Sequence, residues 1–450
     1  MVAEEKYEFK PEAKKKIAIL GAVGIVLFIL GVFLAMNSGA GHEGEHASVQ
    51  AMSKLVASTE QAASAEGQVA AVAEGHHGSP AWLKRVYASL WQNNIYFAGL
   101  GIIGLFFVAI QYAAQAGWSV PVNRIALAIG QWIPISGILM LVLWFVVKAD
   151  VFHWTHPDLY VEGPNFDEVI KGKGGYFFWP LQSGGFPLFF IVRMVVFFGL
   201  WYLFYIWIKK EMLAEDINGG TAHWTKARSL SAIFLVIFAV SSSIAAWDWV
   251  MSIDTHWYST MMGWYVFASW FVSGLAAITL VVVFLKEAGY LKVVNANHLH
   301  NLGLFVFAFS IFWTYIWFSQ FLLIYYANIP EEAVYFVNQM NNSPYSWVFY
   351  ASLIMNFVFP FLLFMTRDSK RHLVMLKVVC IIVVLGHWLD FFNMVTPGVV
   401  QKDGGLGFLE IGVTMVFLAA FLFVTLNALS KAPLVAKNHP MMGEALNHHI

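Results

Sequence analysis

Apolar residues fall into ten long runs, near residues 17–36, 94–116, 125–147, 186–208, 229–250, 261–285, 301–327, 346–365, 373–393 and 408–428. Each is close to the ~20 residues that an α-helix needs to cross ~30 Å of hydrocarbon. No water reaches backbone N–H and C=O groups inside a bilayer, so runs of this kind are helices. The pattern predicts an all-α, polytopic membrane protein of ten transmembrane helices. The first run follows Lys14-Lys15-Lys16 and is too long for the apolar stretch of a cleaved signal peptide, so it reads as a retained first span.

The polar stretches between the runs set the organisation. The chain divides into an N-terminal segment with the first helix (1–37), an insertion on the outer side (38–93), a first group of helices (94–250), a second group (251–393), and the last helix with its tail (394–450). In the insertion, Val49, Met52, Leu55 and Val56 keep helical spacing and predict a short amphipathic surface helix. The other long loop, 148–185, holds Asp150, His153, His156 and Asp158 and a Gly-rich turn at Gly172–Gly175. Its Trp154, Tyr176, Phe177, Phe178 and Trp179 are expected to pack at the membrane edge.

Composition agrees with the pattern: 59% of residues are hydrophobic and 12% are charged, about half the charged share of a soluble domain. A net charge of -1 excludes nucleic acid as a partner and leaves lipid as the surroundings. With the N-terminus inside, 17 Lys and Arg residues fall in inner segments and 7 in outer ones, so both termini are expected in the cytoplasm. The single cysteine, Cys380, cannot hold an iron–sulfur cluster or attach a haem through a paired-cysteine motif. Haem ligation would need two histidines at matching depth. Only His387 lies well inside a run, with His298 and His300 at the inner edge of the seventh. The histidine spacings match no zinc signature, so no metal site is expected. Electron carriers would have to sit on other chains.

Charges inside a span are costly and default to functional candidates, each weighed against a structural ion pair or a snorkelling side chain. Arg193, about two turns into the fourth run, needs an acceptor, and Asp248 near the outer end of the fifth is its natural partner. From Trp247 to Tyr258, Asp248, Asp254 and His256 crowd among three tryptophans, an arrangement suited either to proton transfer or to an aromatic belt. His387 and Asp390 stand at i and i+3 on the ninth span and share a face, as a proton relay or a structural hydrogen-bonded pair. Lys377 is expected to snorkel to the inner interface, and Glu410 to sit as an interfacial carboxylate at the outer start of the last span.

Three stretches are distinctive together. They are Ser241–Tyr258 with its Trp247-Asp248-Trp249, Phe312–Phe321 followed by Tyr325-Tyr326-Ala327-Asn328-Ile329-Pro330-Glu331-Glu332, and His153-Trp154-Thr155-His156-Pro157-Asp158. In combination they resemble the ActF family, the second NrfD-like (polysulfide-reductase-C-like) membrane subunits of alternative complex III. The resemblance covers nearly all ten spans and leaves out residues 38–80. It implies two four-helix bundles, spans two to five and six to nine, with one flanking helix at each end. It also implies a subunit of a respiratory quinol:cytochrome c oxidoreductase in the bacterial inner membrane. Expected partners are a multihaem cytochrome c, an iron–sulfur protein, a paralogous NrfD-like subunit and a terminal oxidase alongside. Haems and clusters would reside in those partners, and the mobile substrate would be a quinol such as menaquinol. In such complexes one NrfD-like subunit holds the quinol while its paralogue serves as scaffold or proton path, and this chain resembles the paralogue.

Three expectations follow. In the first, a quinol pocket in the first bundle uses Asp248, Arg193, Asp254 and His256, with Lys148 and His153 as quinone contacts. In the second, the chain is a structural and proton-conducting subunit without a quinone site, its path using His387, Asp390, Lys377 and Glu410 beside Thr279, Ser310, Gln320, Tyr325 and Asn393. In the third, it is a solute transporter, with Pro134 and Pro360 as candidate helix breaks.

Overall fold

The computed structural model describes residues 5–60, 79–341 and 344–449, and for 38–60 the backbone alone. Among the described residues ten helices are long and apolar enough to cross a membrane: Pro11–Asn37, Ala81–Ala113, Gly117–Val151, Leu188–Asn218, Ala222–Ile253, Met262–Glu287, Ala296–Ala327, Ser346–Leu363, Leu373–Asp403 and Phe408–Leu429. The chain is an all-α, multi-pass membrane protein. An even number of spans puts both ends on one face, where the Leu434 N–H donates to the Glu5 carbonyl at 2.8 Å.

The first helix continues to Glu60, so 49–56 belong to one long helix rather than to a short separate one, and the amphipathic face expected there rests on side chains that are not described. The second begins at Ala81, ahead of the apolar run at 94, because its polar opening is buried against other helices. Gln92 Nε2 donates to the Trp388 carbonyl at 3.2 Å, Trp388 Nε1 to Asn93 Oδ1 at 3.0 Å, and Asn94 Nδ2 to the Ser136 carbonyl at 3.2 Å. In its most apolar window 89% of residues are buried, against 11% in the first span. The second span packs on the third, fifth, sixth, ninth and tenth, and is the axis of the molecule. The third packs on the fourth and the fourth on the fifth, while the sixth packs on the seventh and ninth and the ninth on the eighth.

The loop 148–185 differs from expectation at its glycines. Gly172–Gly175 lie inside a helix, Glu168–Phe178, rather than in a turn. Asp167 caps it by accepting from the Ile170 N–H at 2.9 Å, and Phe177 stacks on Trp154 at 4.0 Å. A cap and an aromatic anchor outweigh the ~1 kcal/mol that each glycine costs a helix.

The first span is exposed on most sides, and its extensive packing is against the tenth. Glycines permit the close approach: a Cβ at Gly24 would stand 2.9 Å from the Gly412 carbonyl, and one at Gly412 would run into the Phe28 backbone. Small residues of this kind let helix backbones meet where no hydrophobic force drives them together. Gly412→Leu is therefore expected to cost about 1–3 kcal/mol and to loosen the first span. A cysteine cross-link between the first and tenth spans should then form more slowly. An unchanged cross-linking rate would show that the glycine contact does not hold them.

Candidate functional site

The candidate residues separate into distinct places. Asp248 and Arg193 form one. Both are buried, and the guanidinium grips the carboxylate in two bonds, Nε to Oδ2 at 2.7 Å and Nη2 to Oδ1 at 2.8 Å. Its third nitrogen donates to the Tyr176 carbonyl at 2.8 Å, and the rings of Tyr176 and Phe189 cover it at 4.2 and 4.4 Å. Opposite charges are matched in bidentate geometry with aromatic faces around them, so the pair is closed in.

Beyond it, outside the spans, Asp254 is half-buried near the Gly398 backbone. Burial pushes its carboxyl up to about 6, and the nearby His256 acts against the rise. The exposed His256 itself pairs with Asp167 at 2.6 Å. Burial raises the Asp167 carboxyl, but the Ile170 N–H and His256 outweigh it and hold it below its ordinary value. Lys148 lies against the Trp144 ring at 5.4 Å, and His153 is exposed with its ring 5.8 Å from that of His156. Among the described residues no contact joins Lys148 or His153 to Asp248 or Arg193.

The second place lies among the sixth, seventh and ninth spans. Asp390 Oδ2 accepts from Ser269 Oγ at 2.8 Å and from Trp313 Nε1 at 2.9 Å, and Oδ1 accepts from the Tyr265 hydroxyl. His387 Nδ1 is 2.9 Å from the same Ser269 Oγ and 3.8 Å from Asp390. Ser269 has one proton to give, and it goes to Asp390. His387 therefore carries its proton on Nδ1 and donates to Ser269 Oγ, a tautomer assigned from the network. That leaves Nε2 as a buried acceptor without a partner. Among the described residues no lysine or arginine pairs with Asp390, so neutral donors alone hold it.

A crevice adjoins this carboxylate, lined by Tyr265, Trp313, Gln339, Ser352, Asp390 and Asn393, and its free space is on the scale of one water molecule. The eighth span bends there through a π-turn at Ile354–Val358, which sets Asn356 against Gly386. Such turns recur at functional sites. Tyr265 and Ser269 were not singled out in the sequence, and Trp313 stood out only within the stretch Phe312–Phe321, with no role at a site. Tyr265, Ser269 and Ser273 do repeat every four residues on the sixth span, a polar stripe on one face that was legible.

The other proton-path candidates lie elsewhere. Lys377 pairs with Glu287 at 2.6 Å near the face that carries the chain ends. Glu410, in the first turn of the last span, is buried: it receives two bonds from Arg85 at 3.0 Å and caps its own helix through the Gly407 N–H at 2.8 Å. Ser310, Gln320, Thr279 and Asn393 are buried, whereas Tyr325 is 70% exposed and stands outside the buried row.

No protein-family model and no curated protein matches the chain.

Two predictions rest on these geometries. Arg193→Ala strands a buried anion and should cost about 3–5 kcal/mol, whereas Arg193→Met with Asp248→Leu should recover most of it. Denaturant unfolding of the solubilised chain measures both, and equal losses would show that charge pairing is not what matters. For Asp254 the folded carboxyl titrates at about 6, above the unfolded value of about 4. Its stabilising contribution is present below that lower value and is lost as pH rises through the folded one. Asp254→Asn should therefore gain in melting temperature relative to the parent between pH 4 and 7, and a pH-independent difference would refute the assignment.

Proposed function

We propose that the chain is a proton-handling membrane subunit of a respiratory quinol:cytochrome c oxidoreductase of the alternative complex III type. In this reading it has no quinone site of its own and sits in a bacterial inner membrane with both termini cytoplasmic. Quinol oxidation belongs to a paralogous NrfD-like subunit. Haems and iron–sulfur clusters belong to a multihaem cytochrome c and an iron–sulfur protein bound on the outer face, with a terminal oxidase alongside. The respiratory class rests on the motif resemblance, and the cycles of packing within spans two to five and six to nine support the two-bundle architecture it implies.

The observation that carries the proton role is the Asp390 cluster. A proton arriving at His387 Nε2 makes an imidazolium. The Nδ1 proton then passes to Ser269 Oγ as the Ser269 proton passes to Asp390, both over distances of 2.8–2.9 Å. One proton enters and one carboxylate is neutralised. Relay of this kind needs hydrogen-bond distances and a group whose charge its neighbours do not fix. Asp390 meets both conditions and Asp248 does not.

A quinone fits neither place. Asp248 is sealed by Arg193, Tyr176 and Phe189, and the Asp390 crevice has room on the scale of water rather than the ~300–1,000 Å³ of ligand pockets. The first-bundle quinol reading therefore has no support from the geometry.

Asp390→Asn in the assembled complex, reconstituted in vesicles, should lower the protons moved per electron at least ~10-fold, and Asp390→Glu should restore part of it. Unchanged proton movement with normal assembly would remove Asp390 from the path. Copurification without a multihaem cytochrome would overturn the respiratory class separately.

A further inference from the structure

On the face that carries both chain ends, a crevice opens between the third, fourth and tenth spans and the tail. Its enclosed free space is on the scale of a few water molecules and it opens toward the surface, and Arg124, Leu127, Lys209, Met212, Leu429 and Pro433 line it. Its charges are unbalanced. The Lys209 ammonium touches only neutral groups: Gln131 Oε1 at 3.2 Å, the Tyr205 hydroxyl at 3.3 Å, and the Tyr205 ring at 5.3 Å. Lys431, exposed where the tail leaves the tenth span, stands in the chain between the lining residues Leu429 and Ala432 and adds a second ammonium group at this edge. Arg124 is 6% exposed and is tied to Asp216 at 2.5 Å and to two carbonyls, yet its Nε has no partner.

Two ammonium groups gathered at a membrane edge repel one another unless an anion lies between them. The remaining lining is apolar and sits where helices meet lipid. A ligand that satisfies both halves carries a negative phosphate at one end and hydrocarbon at the other. We propose that this crevice binds an anionic phospholipid. Its phosphate lies between Lys209 and Lys431, within reach of the Arg124 Nε, and an acyl chain runs along Leu127, Met212 and Leu429. Basic pockets between spans at the inner membrane face recognise lipid headgroups by this chemistry.

The test uses the full chain in the assembly in which it purifies. Native mass spectrometry and thermal unfolding are run with phosphatidylglycerol, with phosphatidylcholine and with inorganic phosphate. Phosphatidylglycerol should be retained and should raise the melting temperature, and the two other probes should do neither. Lys209→Gln with Lys431→Gln should lower retention at least ~10-fold, the scale expected for two cations at an anionic headgroup. Leu127→Trp, which fills the crevice and leaves its charges in place, should lower it as well, so the result does not depend on the folding of one variant. Equal retention of phosphatidylcholine would overturn the proposal, as would equal stabilisation by inorganic phosphate, or variants that hold phosphatidylglycerol as the parent does.

Discussion

The second span is buried on nearly every side, and its run Trp91-Gln92-Asn93-Asn94 holds the two halves of the molecule together. Trp91 Nε1 donates to the Trp249 carbonyl at 2.9 Å, which ties it to the fifth span. Gln92, Asn93 and Tyr96 bond the ninth span at Trp388 and Val384, and Asn94 bonds the third. Hydrocarbon offers these amides no water, so leaving one unpaired costs several kcal/mol and sliding the helix breaks several at once. Apolar packing alone does not choose among helix neighbours when lipid is as apolar as leucine. The polar run makes that choice.

The buried carboxylates are held in two different ways. Asp248 and Glu410 each take an arginine in bidentate contact, Arg193 and Arg85, and each fixes where one segment meets another. Each of these carboxylates faces a cation that matches its charge. Asp390 takes a phenol, a serine and an indole, all neutral, with an imidazole one hydrogen bond beyond. In low dielectric the distinction between a charged and a neutral partner is worth several kcal/mol, enough to separate structural from proton-transferring groups on one fold.

Much of this was legible in the chain. The ten spans were, because twenty apolar residues in a row have one physical solution. The pairing of Arg193 with Asp248 was, because an arginine in hydrocarbon must find an acceptor on an adjacent helix. The start of the second span was not: Gln92 and Asn93 read as a water-facing edge unless their partners nearly 300 residues away are known. Gly172–Gly175 read as a turn, because the Asp167 cap and the Trp154–Phe177 stack that overrule glycine are tertiary facts. The partner of Glu410 was not legible, because Arg85 lies 325 residues away. The Asp390 cluster was half legible. His387 and Asp390 share a helix face by spacing, while Tyr265, Ser269 and Trp313 come from two other helices whose rotation no local pattern specifies.

The polar run of the second span and the Asp390 cluster depend on one another. The bonds from that run reach the ninth span at Val384 and Trp388, on either side of His387, and Trp388 is two residues from Asp390. A rotation of the ninth helix that turned His387 and Asp390 away from Ser269 would also pull Trp388 from Asn93 and Val384 from Tyr96. Proton passage over 2.8–2.9 Å tolerates little rotation, and a helix anchored only by leucines in lipid would be free to turn. The hydrogen bonds that select which helices are neighbours therefore also hold the proposed relay in register. An apolar replacement for Asn93 would leave Trp388 Nε1 buried and unpaired, and would disturb the orientation of His387 through its neighbour Trp388.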